Sequence, residues 1–188
     1  MDRSGITKLL TDTLIRTRLN GRVHKKYYAT EVTLDYGLKH PKRIDVMEYK
    51  PVNQLCISGL EGGIFICYEI KSCYEDVYSG SGLNFYGDKN YIVTTMETYK
   101  KLIPDIQQTN KFRDHLRKTN PESSLEFGIM VLVPEGRNSN NGAEREFFDT
   151  TEITNNERWE LHIIKKDRGS YRKRSIIELL FCMLRSGK

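Results

Sequence analysis

The chain has 188 residues, of which 38% are hydrophobic and 29% charged, and this composition excludes a fibrous or wholly disordered protein. Its length fits one domain, and we expect residues 1–188 to form it, with a core at about 5–134 and a C-terminal strand and helix at about 157–186. The 30 basic and 25 acidic side chains give a net charge of +5, which suits a polyanionic partner without requiring one.

The cysteines and the longest apolar stretch indicate the compartment. The four cysteines form no zinc-ligand spacing with one another or with the four histidines, which argues against a zinc site. Cys67 and Cys182 fall in predicted apolar elements, so we expect both to be buried, reduced thiols. The longest apolar run, 176–184, contains Glu178 and is too short to cross a bilayer. We therefore expect a cytoplasmic protein with no membrane partner.

The first half of the chain predicts a helix followed by three strands, at 5–19, 27–34, 44–49 and 64–70. Ser4 is a suitable N-cap for the helix, and Asn20-Gly21 ends it. The run 64–70 is apolar on both faces apart from Glu69, which is typical of a central strand covered by helices on each side.

The second half predicts a strand at 91–95, a helix, a strand at 127–133, a long loop at 135–156, a strand at 159–164 and a helix at 176–184. Thr94 and Glu97 have the spacing of a capping box for the middle helix, and Pro104 is expected to end it. The whole order predicts an α/β fold with a mixed central β-sheet flanked by helices.

Charged side chains stand at the ends of two predicted strands. Asp45 lies near the end of the second, and Glu69, Ile70 and Lys71 close the third. Side chains alternate along a strand, so Glu69 and Lys71 share a face and Ile70 points into the core. If the Asp45 strand runs antiparallel beside them, two hard oxygen ligands suited to Mg²⁺ meet a cation. Glu31, on the preceding strand, is a candidate supplementary ligand or general base, although the sequence does not settle which face it occupies.

A Glu-x-Lys triplet at the end of a strand is, taken alone, usually a solvated ion pair. Here the triplet closes an apolar central strand, an aspartate holds a matching place on the preceding strand, and the flanking elements come in a suitable order. These three features favour a metal site.

The element order and these residues resemble the PD-(D/E)XK nuclease superfamily, whose core is α-β-β-β-α-β. The resemblance implies a restriction-endonuclease-like core in which Asp45 and Glu69 bind Mg²⁺ or Mn²⁺. It also implies that Ile70 offers its backbone carbonyl to the metal and that Lys71 contacts the attacking water or the scissile phosphate. Ile44 departs from the proline that often precedes the first acid in the superfamily.

Three runs extend the resemblance from about residue 31 to residue 134: Glu69 to Asp76, Gly87 to Thr94, and Phe127 to Pro134. As a series they look like the MmcB-type branch of that superfamily, which is associated with DNA repair. This likeness implies DNA as partner. Many members of the wider superfamily act as dimers, which allows a homodimer, and a binding module on the same fold would have a protein partner in a repair or phage/host defence complex. The loop at 135–156 and the segment 80–82 are not covered.

Basic residues outside the triplet provide a candidate contact for nucleic acid: Lys89, Lys165, Lys166, Arg168, Arg172 and Arg174. Residues 165–174 carry most of them, and a solvated loop leading into a helical turn is the alternative interpretation. A second basic group, from Arg16 to Lys26, is interpreted as solvated. The segment Gly80-Ser81-Gly82 lacks the lysine of a P-loop and is expected to be a flexible strip beside the site.

Aromatic residues border that strip: Tyr74, Tyr78, Phe85 and Tyr86. They could stack on bases or simply pack, and packing is the simpler interpretation. His115 and His162 have no neighbours in the sequence that suggest a catalytic triad. The sequence therefore predicts metal-dependent hydrolysis of DNA phosphodiester bonds. A non-catalytic module that binds nucleic acid or protein on the same fold is the alternative function. A structural role, with the basic residues of 165–174 as a protein interface, is the third.

Overall fold

The computed structural model describes residues 1–20, 27–137, 147–154 and 157–186. The strands are β1 (Tyr27–Leu34), β2 (Lys42–Lys50), β3 (Ile64–Lys71), β4 (Lys89–Thr95), β5 (Gly128–Pro134) and β6 (Trp159–Lys165). The helices are α1 (Arg3–Leu14), α2 (Ile57–Glu61), α3 (Tyr74–Val77), α4 (Met96–Gln107), α5 (Lys111–Thr119) and α6 (Ile176–Ser186). A π-helical turn, Ile15–Leu19, extends α1.

The six strands form one mixed sheet whose spatial order follows the chain, from β1 to β6. β1, β2 and β3 are antiparallel neighbours, β3, β4 and β5 are parallel, and β6 returns antiparallel to β5. This arrangement confirms the predicted α/β class with a mixed sheet flanked by helices. It also confirms that β2 runs antiparallel beside β3, on which the proximity of Asp45 to Glu69 depends.

Alternation along β3 sends its side chains into two different cores. Ile70 packs with Leu10 and Leu14 of α1 on one face of the sheet. Phe65 and Cys67 pack on the other face, with residues of α6. Glu69 and Lys71 have the parity of Phe65 and Cys67, so they lie on the face opposite α1. The predicted burial of Cys67 and Cys182 is confirmed.

The pairing of β1 with β2 is interrupted at Glu31 and Asp45. Thr30 pairs with Val46 and Val32 pairs with Ile44, while Glu31, between them, adopts a φ of +54°. A positive φ is uncommon for a residue other than glycine, and it marks a local irregularity that leaves the register of the two strands unchanged. Glu31 and Asp45 face each other across this irregular step.

Three predicted helix boundaries are wrong. α1 is capped by Asp2, whose carboxylate accepts from Gly5 N at 2.9 Å, and not by Ser4. Thr95, and not Thr94, caps α4, because the Thr94 hydroxyl donates to the Lys71 carbonyl at 2.6 Å and stays in the sheet. Pro104 does not end α4 but lies inside it. It has no N–H to donate, yet its carbonyl accepts from Gln108 N at 2.9 Å, so the helix continues past it.

The sequence prediction also omitted α2, α3 and α5, which are four to nine residues long and carry few apolar positions. Most of the predicted loop at 135–156, and residues 21–26 of the second basic group, lie outside the described residues. No helix in the described part of the chain is long and apolar enough to span a membrane.

Candidate functional site

Asp45 stands where β2 and β3 separate. The last described pair between these strands is Val46 with Tyr68, so the Ile70 N–H, the next one on β3 that points toward β2, has no backbone partner on β2. Asp45 Oδ2 takes its place and accepts from Ile70 N at 2.7 Å. Burial raises the pKa of Asp45, an effect opposed by the Ile70 N–H and by Lys71. The carboxylate is thereby fixed beside the end of β3.

Glu69 is fully buried, and its carboxylate is held by backbone amides. Oε2 accepts from Leu83 N at 2.9 Å and Oε1 accepts from Asn84 N at 3.0 Å. We call residues 80–84 the amide clamp. Because each carboxylate oxygen has two lone pairs, one acceptor position on each remains after these bonds.

Lys71 is also buried, and its ammonium donates to the Ser81 carbonyl of the amide clamp at 3.0 Å. The clamp makes this turn with positive φ at Gly80, Gly82 and Leu83. A side chain at Gly82 would stand 2.6 Å from Lys71 Nζ and 2.8 Å from Glu69 Oε2. Gly82 therefore allows the clamp to lie directly over the two polar groups.

The clamp is held from behind by the segment that follows α5. The Asn120 amide donates to Asn84 Oδ1 at 2.8 Å and accepts from the Tyr86 hydroxyl at 3.0 Å. The Ser123 hydroxyl donates to the Leu83 carbonyl at 3.0 Å and accepts from Phe85 N at 2.8 Å. These buried bonds fix the direction of the amides that Glu69 requires.

The ionised site carries more negative than positive charge. Burial, followed by the nearby Asp45 carboxylate, raises the pKa of Glu69 to about 8, against the lowering effects of Lys71 and the two clamp amides. The buried Glu69 carboxylate and the half-buried Asp45 carboxylate share one buried ammonium, so a further positive charge would stabilise the ionised form of both acids.

These residues fit a hard divalent cation. Mg²⁺ is commonly held by one or two carboxylates, with water and substrate phosphate completing its shell, and Asp45 and Glu69 provide that set. Within the described residues no group of three or more His, Cys, Asp or Glu side chains stands where it could hold a metal. Water, phosphate and the Ile70 backbone would therefore have to supply the remaining ligands, with Glu31 as a further carboxylate at the rim.

A cleft of about 890 Å³ opens over Asp45, Ile70 and Lys71. Basic residues from two elements line it: Arg3 of α1, and Lys39, Lys42 and Arg43 of the β1–β2 hairpin. His40 and Asp76 line it as well, and Asp76 forms an ion pair with Arg3 at 2.6 Å. Glu31 also lines the cleft, and its carboxylate pairs with Arg43 Nε at 2.8 Å. The structure thus places Glu31 on the side of Asp45, which the sequence left open.

We call Lys89, Lys165, Lys166, Arg168, Arg172 and Arg174 the basic strip, and most of it lies at the other end of the sheet. Arg174 is the exception, because its partner Asp35 follows β1 at the end where Lys71 lies. Lys89 pairs with Ile66 at the start of β3, about 17 Å along the strand from Lys71. Arg172 is bonded to Asp88 at 2.6 Å, and Arg174 forms a two-pronged ion pair with Asp35 at 3.0 and 2.9 Å.

Lys165 lies over the Phe127 ring, with its ammonium 3.9 Å from the ring centroid. Lys166 and Arg168 are exposed. The structure therefore brings none of the predicted strip residues to Asp45, and it gives three of them internal contacts.

The aromatic residues beside the clamp pack. Phe85 and Tyr86 are buried in the core. Tyr74 and Tyr78 both donate to Asp105 Oδ2 at 2.6 Å, and Lys111 lies over both rings. This polar network positions α3 against α4 and α5.

The sequence prediction missed the amide clamp, its support at Asn120 and Ser123, and the basic hairpin. Only the Gly80-Ser81-Gly82 run gave a signal, because backbone donors leave no side-chain signature. Comparison of the chain with protein-family profiles, with curated proteins and with solved structures finds no match.

Proposed function

We propose that this protein is a metal-dependent nuclease that hydrolyses phosphodiester bonds of DNA, in the manner of the PD-(D/E)XK superfamily and its MmcB-type branch. The supporting observation is that Asp45 and Lys71 line a cleft with a basic rim at one end of β3, while Glu69 lies buried beside them, close enough for both to influence its pKa. The restriction-endonuclease-like core is part of the proposal. Its helix between the third and fourth strands would be the short α3.

The residues divide the reaction between them. A bound Mg²⁺ or Mn²⁺ would supply charge neutralisation and a nucleophilic water. Asp45 and Glu69 hold that charge at the end of β3, with the Ile70 carbonyl as a further ligand. Lys71 positions the water and offsets charge on the phosphate, and Glu31 accepts a proton or adds a ligand. The basic rim orients the DNA backbone in the cleft.

The four cysteines are free thiols, which suits a reducing compartment, and we place the activity in the cytoplasm. A repair complex is the setting that the MmcB-type resemblance implies, and a phage/host defence complex is the second setting that we propose. In such a setting, the exposed strip residues Lys166 and Arg168 would contact DNA that extends beyond the cleft.

A cleavage assay with Mg²⁺, Mn²⁺ or EDTA tests the nuclease proposal. We expect wild type to cut DNA only with the cation, and Asp45→Asn and Lys71→Ala to lower the rate at least about a hundredfold. Lys166→Ala, which removes an exposed charge far from the site, should keep wild-type cleavage of a short substrate. Equal cleavage by wild type, Asp45→Asn and Lys71→Ala would show that the site assignment is wrong. Single-stranded, duplex and flap DNA, with RNA beside them, identify the substrate.

The completeness of the hydrogen bonds favours a second candidate, a non-catalytic module that binds nucleic acid or protein. Glu69 has both oxygens bonded to amides and Lys71 is bonded to Ser81, so the cluster is satisfied as a purely structural element. Calorimetric titration with Mn²⁺ separates the two functions. Binding that is lost in Asp45→Asn and Glu69→Gln supports the nuclease, whereas no such binding supports the module.

A further inference from the structure

Helix α6 is apolar on two opposite sides. Its inner row, Leu179, Cys182 and Met183, is buried against β1 and β2. Its outer row consists of Ile177, Phe181 and Leu184, whose exposed fractions are 80%, 62% and 75%. A surface helix normally turns polar residues to water, so a continuous apolar outer row marks a face that a partner covers.

The spacing of the outer row fits another helix of the same kind. Ile177, Phe181 and Leu184 are separated by four and then three residues, which is the repeat of a helix–helix seam. In an antiparallel pair with a two-fold axis near Phe181, Ile177 would lie against Leu184 of the second copy, and the two Phe181 rings would meet. The row is thus complementary to itself under that symmetry.

Charge beside the row selects the antiparallel direction. Glu178 and Arg185 are seven residues apart and lie on the same flank of the seam. In an antiparallel pair that flank faces its own copy, so Glu178 of each chain approaches Arg185 of the other. A parallel pair would turn this flank toward the opposite flank of the second helix, so neither Glu178–Arg185 pair would form. The charges therefore favour a second copy in one orientation.

The two charged groups retain capacity for this contact. Glu178 Oε1 accepts from Arg174 at 3.0 Å, which leaves its other oxygen for a partner. Arg185 donates one N–H to the Thr33 carbonyl and lies 4.4 Å from the centroid of the exposed Tyr36 ring. Tyr36 therefore widens the apolar face at its Arg185 end.

We propose that the outer row of α6 is a homodimer interface formed by antiparallel pairing with a second copy of this chain. One helix face with a flanking tyrosine is smaller than the roughly 800 Å² per partner of a standard stable interface. We therefore expect a reversible dimer with a dissociation constant in the micromolar range. The interface does not depend on the chemistry of the cleft.

Sedimentation velocity from about 1 to about 100 µM tests the pairing. Wild type should shift from monomer to dimer over this range, and Phe181→Asp should raise the dissociation constant at least about tenfold. Leu55→Asp is the matched control, because Leu55 is an equally apolar, 94% exposed residue far along the chain from α6. A monomer at every concentration would overturn the proposal, as would an equal loss in the two variants.

Charge exchange tests the orientation independently. Glu178→Arg and Arg185→Glu should each weaken self-association, because like charges then face each other across the axis. An equimolar mixture of the two variants should regain association, since both inter-chain pairs are again of opposite sign. Circular dichroism melts verify that each variant is folded. If the mixture associates no better than the separate variants, antiparallel pairing through α6 is excluded.

Discussion

At the residue scale, Glu69 is under opposing influences. Two backbone amides favour its charge, whereas complete burial and the neighbouring Asp45 disfavour it, and burial is the larger effect. A proton or a cation resolves this conflict. The same residue that would bind a metal thus makes the metal-free protein sensitive to pH.

We expect the metal-free protein to lose stability as the pH rises from about 5 to about 8. The pKa of Glu69 rises from its ordinary value of 4.5 to about 8 in the fold, so the folded chain holds a proton that the unfolded chain releases. That contribution is complete below the unfolded pKa and is lost through the folded one. Urea denaturation in EDTA should show a fall of about 2 to 4 kcal/mol across this window.

Asp45→Asn should make that pH profile less steep, because the amide still accepts from Ile70 N but no longer repels the Glu69 carboxylate, whereas the burial of Glu69 is unchanged. Glu97→Gln, which alters an exposed ion pair with Lys101, should leave the profile as in wild type. A profile of Asp45→Asn as steep as that of wild type would contradict the role of Asp45 in the Glu69 titration.

At the element scale, the amide clamp behaves as part of the site and not as a linker. It contributes two N–H donors to Glu69 and one carbonyl to Lys71. Because these are backbone groups, the clamp depends on its backbone conformation and on the room between it and Glu69 and Lys71, more than on which side chains it carries. Two substitutions with the same backbone strain, of which only one fills that room, can test this.

Gly80→Ala and Gly82→Ala form such a pair. Both glycines have a φ of +80°, so each substitution should cost about 1 kcal/mol of backbone strain. Only at Gly82 would the new Cβ meet Lys71 and Glu69, because nothing lies within 4 Å of it at Gly80. We expect Gly82→Ala to weaken Mn²⁺ binding at least about tenfold beyond Gly80→Ala in calorimetric titration. Equal affinities would place the clamp outside the site.

The support behind the clamp gives a separate prediction. Asn120→Ala removes the bonds to Asn84 and Tyr86 from a buried position and should cost about 1 to 3 kcal/mol in urea denaturation. Hydrogen exchange at the Leu83 amide should accelerate by more than the global loss explains. Asn110→Ala, an exposed residue with no side-chain capping bond, is the control and should change neither measurement. Unchanged exchange in Asn120→Ala would contradict the support.

The difference between side-chain and backbone signals explains what the sequence could predict. Alternation along β3 sufficed to place Glu69 and Lys71 on one face and Ile70 on the other. The clamp could not be foreseen, because its donors are peptide groups common to every residue. Helix α5 was missed because only Phe112 and Leu116 mark its buried face. The side of Glu31 depended on its positive φ, which residue types do not reveal.

At the scale of the whole molecule, two basic regions lie at opposite ends of the sheet. The hairpin region around Lys39 and Lys42 borders the cleft, whereas the strip containing Lys166 and Arg168 lies near the start of β3 and β4. Under the proposed function, a short DNA substrate at Asp45 would contact only the first of these regions. The length of the DNA should therefore decide which region matters.

We expect Lys39→Ala with Lys42→Ala to weaken binding of a short oligonucleotide and to reduce the slope of log affinity against log salt by up to about 2. Lys166→Ala with Arg168→Ala removes the same charge at the far end and should leave the short substrate unaffected. Fluorescence anisotropy over a salt series, in EDTA to prevent cleavage, measures both. A larger effect of the Lys166 and Arg168 pair would move the DNA path to the strip.

The segment after α5 holds the amide clamp in place, so the site cannot be rebuilt in another protein from its charged side chains alone. A fragment from β1 to β3 contains Glu31, Asp45, Glu69 and Lys71, yet it lacks every donor that holds the Glu69 carboxylate. Copying those four side chains onto another sheet would reproduce the signature without its charge balance. The smallest unit that keeps the Glu69 environment runs from β3 to Ser123 and includes α3, the amide clamp, β4, α4 and α5. A protein designer would have to include all of it.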